Sequence, residues 1–93
     1  MNLQKKKRVK LYGKKLRELN EAIFLRDNCR CIVCGIYVSP DHKFHHEPNG
    51  ADKTDELSGG VVLCERCHYA RHNTDQCKVI KRKCEEYLRS LYG

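Results

Sequence analysis

Four cysteines arranged as two pairs, Cys31-x2-Cys34 and Cys64-x2-Cys67, stand 29 residues apart in this sequence. Each pair brings two thiolates onto one side of a tight loop, and two such loops complete the tetrahedral sulfur cage that zinc accepts in structural sites. An iron–sulfur cluster would use the same thiolates, but nothing nearby points to electron transfer. The second reactive set is five histidines: His42, His45, His46, His68 and His72. Singly, each reads as an ordinary surface or hydrogen-bonded residue. Together they do not. His68 and His72 are four apart, so on a helix both imidazoles leave one face. His45 and His46 are adjacent, so on a strand they point to opposite faces and only one can join a given metal. Phosphodiester hydrolysis uses such a division of labour. A metal neutralises charge on the scissile phosphate and the leaving oxygen, while a separate imidazole takes a proton from the attacking water.

Several elements must position these residues. Tyr12, Leu16, Leu19 and Ile23 form an apolar stripe that predicts a helix from about Tyr12 to Arg26, with Lys14, Lys15, Arg17 and Glu18 off the stripe. Asp27-Asn28 ends it, and the first cysteine pair follows, with Gly35 allowing the turn behind it. Ile36-Tyr37-Val38 reads as a strand closed by a Ser39-Pro40-Asp41 turn, and Lys43–His46 as the returning strand of that hairpin. Residues 47–60 read as a polar loop and Val61–Leu63 as an apolar approach to the second pair. A helix is expected from Glu65 to about Asn73. Another spans about Gln76 to Leu91, with Val79 or Ile80, Cys84, Tyr87 and Leu91 on one face. Cys29 lies too close to Cys31 for a turn of its own. With Cys77 and Cys84 it reads as core. On this reading the cage ties the His45-His46 strand to the His68/His72 helix.

At 93 residues the chain makes one domain, and a core this small normally needs a staple. Seven cysteines supply one, and the odd count argues against a closed disulfide framework. No apolar segment follows the basic N-terminus as in a secretory signal, and no run approaches the ~20 residues of a membrane span. An intracellular, reducing location is therefore expected. The net charge is +7. Its centre is Lys5, Lys6, Lys7, Arg8, Lys10, Lys14, Lys15 and Arg17, with no acidic residue before Glu18. A solvated tail is one reading of that run, and an arm tracking nucleic-acid phosphates is the favoured one. A membrane surface is a poorer match, because the arm lacks an apolar face with aromatic anchors. The organisation expected is a basic arm over residues 1–11, loose through residue 10, and one zinc domain over 12–93. Its core is 26–75 and its last helix about 76–91.

The run RDNCRCIVCG … FHHEPNG … DELSGGVVLCERCHYARH, from Arg26 to His72, resembles the HNH endonucleases with four zinc-binding cysteines, common in phages and mobile elements. The resemblance covers both cysteine pairs, the His-His dipeptide and the Leu-Cys-x2-Cys-His-x3-His ending. It implies an α+β fold, a small zinc-stapled ββα-metal (treble-clef-like) domain with flanking N- and C-terminal helices. It also implies roles. His46 would be the general base and His45 a ligand of the catalytic metal. His68 would be a second ligand, and His72 a third or a phosphate contact. The cofactors implied are a structural zinc and one catalytic divalent metal: Mg2+, Mn2+, Ni2+ or Zn2+. The setting implied is the cytoplasm of a bacterial or phage-infected cell. One position departs from the pattern. The family's asparagine, which braces the loop holding the base, falls at Gly59, and Ser58 or Asn49 are the candidates to substitute for it.

The expectation is thus a DNA-nicking hydrolase, with the strand held by the basic arm and by Lys81, Arg82 and Lys83. Cutting both strands would need a dimer or two separate nicks. The alternatives are a non-catalytic zinc module that binds DNA or a protein, and an adaptor in a phage packaging or restriction complex with a phage or bacterial partner. An inactive descendant of a nuclease also fits Gly59. A zinc deaminase is excluded, because no His-x-Glu precedes a Pro-Cys-x2-Cys.

Overall fold

The computed structural model of the protein describes residues 8–48 and 50–93. Within them the fold is α+β: three α-helices and a two-stranded sheet. Helix α1 (Gly13–Arg26) forms on the expected stripe, with Ile23 and Phe24 fully buried and Leu16 and Leu19 packed beside them. Tyr12 is the exception. It is the N-cap in extended backbone, turned off the helix face, and is 70% exposed. The helix stops at Asp27, whose N–H donates to Ile23 O at 3.0 Å. Asn28 and Cys29 then adopt left-handed φ values of 59° and 52° and swing the chain into the first cysteine turn. Asparagine tolerates that conformation; for Cys29 it costs on the order of 1 kcal/mol.

The first turn is knitted by Gly35 N–H to Cys31 O and Cys31 N–H to Ile36 O, both 2.9 Å, and by Val38 N–H to Cys29 O at 2.8 Å. Gly35 sits at φ 84°, a value that suits glycine. Residues 36–38 therefore pair back across the turn, through an Arg30–Tyr37 bridge. They do not pair forward with 43–46, which corrects the hairpin expected from the sequence. The turn reverses the chain so tightly that the hydrogen bonds of this segment are used locally. Strand β1 (His45–His46) instead pairs antiparallel with β2 (Gly60–Val61), His45 opposite Val61 and His46 opposite Gly60. Phe44 helps set this register. A Cβ on residue 60 would lie 2.3 Å from its ring, so only glycine fits beneath it. Residues 47–59 join the strands and contain two 3-10 turns, Gly50–Asp52 and Leu57–Gly59.

Helix α2 (Glu65–Asn73) starts at Cys64, whose Sγ accepts the Cys67 N–H at 3.4 Å. Glu65 in its first turn and Arg71 in its last complement the helix dipole. Helix α3 (Cys77–Tyr92) buries Ile80, Cys84 and Leu88. Val79 and Leu91 are 46% and 45% exposed, so the buried stripe runs through 80, 84 and 88 and misses 91. None of the helices is long and apolar enough to cross a membrane, among the described residues.

The elements meet at Asp27, a buried carboxylate on none of them. It accepts from Arg26 Nε at 2.7 Å, from Val62 N at 2.9 Å and from the Tyr87 hydroxyl in a short hydrogen bond. Arg26 in turn donates to Leu57 O at 2.6 Å and Gly60 O at 2.7 Å. One ion pair thus ties the end of α1 to β2 and α3. Asp27→Ala leaves these interior donors unmatched and is expected to cost about 3–5 kcal/mol, the scale for breaking a buried pair. Urea unfolding of the variant measures it, and an unchanged midpoint would show that Asp27 does not hold the elements together.

Candidate functional site

The four cysteines of the two pairs come together. The Sγ atoms of Cys31, Cys34, Cys64 and Cys67 all lie within 4.8 Å of one another, and Cys34 and Cys64 are 3.6 Å apart. A metal–sulfur bond of about 2.3 Å gives a tetrahedral edge of about 3.8 Å, so the cluster has the dimensions of a metal cage. Cys31, Cys64 and Cys67 are buried, and Cys34 faces solvent. A backbone hydrogen bond from Ile36 draws the Cys34 thiol down to about 7, against some burial. Burial pushes the Cys64 and Cys67 thiols up. A metal bound here would displace those protons, so its affinity would rise with pH.

A second cluster lies where β1 faces α2. Ring nitrogens of His45, His68 and His72 lie within 4.8 Å of one another, with ring centroids 4.8–5.4 Å apart. His68 and His72 are exposed and His45 is buried beneath them. Burial, then the nearby His45, His72 and Arg71, hold His68 below the ordinary histidine range; burial and His45 do the same for His72. Neutral rings keep the lone pairs that bind metals. His45 Nε2 donates to Glu47 Oε1 at 3.0 Å, which leaves Nδ1 as its ligand atom. Glu47 is gripped by Arg71, Nε to Oε1 at 3.0 Å and Nη2 to Oε2 at 3.1 Å. Burial would raise the Glu47 carboxyl, but the bonds from His45 and Arg71 prevail and hold it below the usual carboxylate range. Imidazoles that ligate metals are commonly backed by a carboxylate in this way. Cys84 Sγ also approaches His45 and Glu47. Its thiol is pushed up to about 12 by burial and Glu47 is already engaged, so this third group reads as support for His45.

His46 is not in that cluster. Its ring packs against Phe44 on the other side of β1, centroids 4.6 Å apart, and Nε2 lies 2.7 Å from Asp55 Oδ1. It opens onto a groove of about 420 Å³ walled by Arg8, Lys10, Tyr12, Lys43, Phe44 and Lys53. A cleft of about 410 Å³ on the opposite side reaches His45 and His68 past Tyr37 and His42, and Lys43 borders both.

Of the basic residues singled out in the sequence, Arg8 and Lys10 wall the groove, while Lys14, Lys15 and Arg17 lie on the exposed side of α1. Lys5, Lys6 and Lys7 lie outside the described residues. Lys81, Arg82 and Lys83 are exposed on α3. The described part of the arm, residues 8–10, is not loose, because Val9 N–H donates to Thr54 Oγ1 and Asp55 N–H to Val9 O, at 2.9 and 2.8 Å. Glu47, Asp55, Arg71, Lys43 and Lys53 were not picked out by sequence. Only Glu47 carried a signal, two positions after His45 and so on the same face of a strand.

No family model matches the chain, and neither does any curated protein or solved structure.

Gly59 has a steric explanation. A Cβ there would lie 2.6 Å from Thr54 O and 2.8 Å from Thr54 Cγ2, so the backbone of the 54–55 segment occupies the space of a side chain. The carboxylate that accepts a hydrogen bond from His46 belongs to Asp55 on that segment. Asn49 lies outside the described residues and Ser58 is exposed. Gly59→Asn is accordingly expected to destabilise the fold by about 1–3 kcal/mol, the usual scale of overpacking. Thermal unfolding checks this, and an asparagine variant as stable as the parent would refute the close packing.

Proposed function

We propose that the protein is a metal-dependent DNA endonuclease of the HNH type, which hydrolyses one phosphodiester bond at a time. One observation carries the reading. His45, His68 and His72 converge on one side of β1, while the neighbouring His46 faces a groove lined with lysine and arginine on the other. The order of residues quoted above supports it, as does the β1–β2–α2 arrangement that presents them. The four cysteines would hold a structural zinc with no part in the chemistry.

His45 through Nδ1, with His68 and His72, would hold a divalent ion, which when bound offsets charge on the phosphate and the leaving oxygen. Glu47 and Arg71 fix the ring of His45 for that task. His46 accepts the proton of the attacking water. Arg8, Lys10, Lys43 and Lys53 hold flanking phosphates, contacts that position a strand without reading its sequence. A second reading, a non-catalytic zinc module that binds DNA or serves as an adaptor, suits the four cysteines and the basic residues equally but leaves the arrangement of His45, His46, His68 and His72 without a role.

Supercoiled plasmid incubated with Mg2+, Mn2+, Ni2+ or Zn2+ separates the two. The wild-type chain is expected to relax it with at least one ion. His46→Ala should slow nicking by a factor on the order of 10²–10⁴, the range of general acid–base catalysis, while still retarding DNA on a gel. A wild type that binds DNA and never nicks it would leave the adaptor reading standing. A variant that nicks as fast as wild type would remove His46 from the chemistry.

A further inference from the structure

We infer that Asp55 is the positioning residue for His46, and that the N-terminal segment Val9–Leu11 fixes the state in which it acts. The inference rests on the nuclease reading above, and assigns to this chain's own loop the bracing of the base.

The pair is well shielded: the His46 side chain is 23% exposed and that of Asp55 12%. An ionised carboxylate only accepts hydrogen bonds, so the proton in the 2.7 Å contact between Nε2 and Oδ1 belongs to the imidazole. The Asp55 carboxyl is kept ionised: burial works against it, but the bonds from His46 and from the Leu11 N–H hold it below the usual carboxylate range. With Nε2 protonated, Nδ1 carries the lone pair. That is the atom that can take a proton from water. The balance is then complete. The water proton moves to Nδ1, and the water oxygen's electron pair forms the new P–O bond. The opposite P–O bond breaks onto the leaving oxygen, which solvent protonates. The imidazolium formed meanwhile stays paired with Asp55.

Asp55 is itself held from the far side. Its Oδ2 accepts the Leu11 N–H at 2.8 Å, its own N–H donates to Val9 O at 2.8 Å, and Thr54 Oγ1 accepts the Val9 N–H at 2.9 Å. The segment 54–55 can sit this close only because residue 59 lacks a side chain. Gly59, Thr54, Asp55 and the arm thus form one assembly with His46 at its end. Arg8 and Lys10, on the same arm, wall the groove that His46 faces. The arm is therefore part of the active site as well as a tether for phosphates.

Asp55→Asn in the full chain tests this sharply. The Leu11 N–H needs an acceptor, so the amide oxygen stays on that side and the amide NH2 turns to His46. Nε2 must then accept, the ring proton moves to Nδ1, and the base is lost although the shape is unchanged. The expected result is a fall in kcat of roughly a hundredfold, within the range for loss of a positioned base, with KM and thermal unfolding unchanged. Long-range 1H–15N NMR should show His46 protonated at Nε2 in the wild type and at Nδ1 in the variant. A variant that nicks at the wild-type rate, or a wild-type His46 protonated at Nδ1, would overturn the assignment. A wild type that never nicks, yet shows the Nε2 tautomer lost in Asp55→Asn, would refute the nuclease reading and leave the Asp55–His46 coupling intact.

Discussion

The constraint on which everything else depends is the meeting of four sulfur atoms from two distant turns. A chain of 93 residues with a core of mostly medium-sized side chains has little margin from burial alone. A metal held by the four cysteines would compensate by fixing two points of the backbone. Cys31 and Cys34 hold the turn that leaves α1, and Cys64 and Cys67 hold the start of α2. Cys64 serves twice, as a member of the cluster and as the N-cap of α2. β2 leads into that cap, and Ile32 N–H donates to Val62 O at 3.0 Å, so the sheet is registered against the first turn. Once α2 is placed, β1 can present only one face to it.

The two faces of β1 are then treated in parallel ways. His45 faces α2 and is backed by Glu47, which Arg71 secures. His46 faces the groove and is backed by Asp55, which the backbone of Leu11 secures. Each imidazole has a carboxylate on Nε2 and is left with Nδ1 for other work. The difference lies in the surroundings. His45 is buried among other imidazoles, and His46 lies among lysine and arginine side chains at the protein surface. Adjacent residues of one strand can therefore serve a metal and a proton without competing.

The helices and the cysteine pairs were legible in the sequence because each has a local signature. α1 follows its apolar stripe, α2 starts directly on the second cysteine pair, and the i, i+4 spacing of His68 and His72 fixes their shared face. The sheet was not. Strands of two residues carry no period, and the pairing of β1 with β2 is decided by Phe44 resting on Gly60, a contact across the fold. Asp55 was hidden for a related reason. It belongs to an irregular segment whose position depends on the missing side chain at Gly59 and on the arm. Gly59 itself looked like a lost functional residue, whereas the structure makes it the space that Thr54 fills. Asp27 read as a helix terminator and proved to be the junction of three elements.

Titration of the metal-free protein with Co2+ tests the four-cysteine cage most directly, because cobalt reveals sulfur ligation by strong thiolate-to-metal absorption. The first equivalent is expected to produce those bands together with the gain of helical circular dichroism, folding and binding being linked. A second equivalent should then bind with no further thiolate absorption, at the three histidines. A chain that is fully helical before metal is added, or whose first equivalent binds without thiolate bands, would contradict that cage.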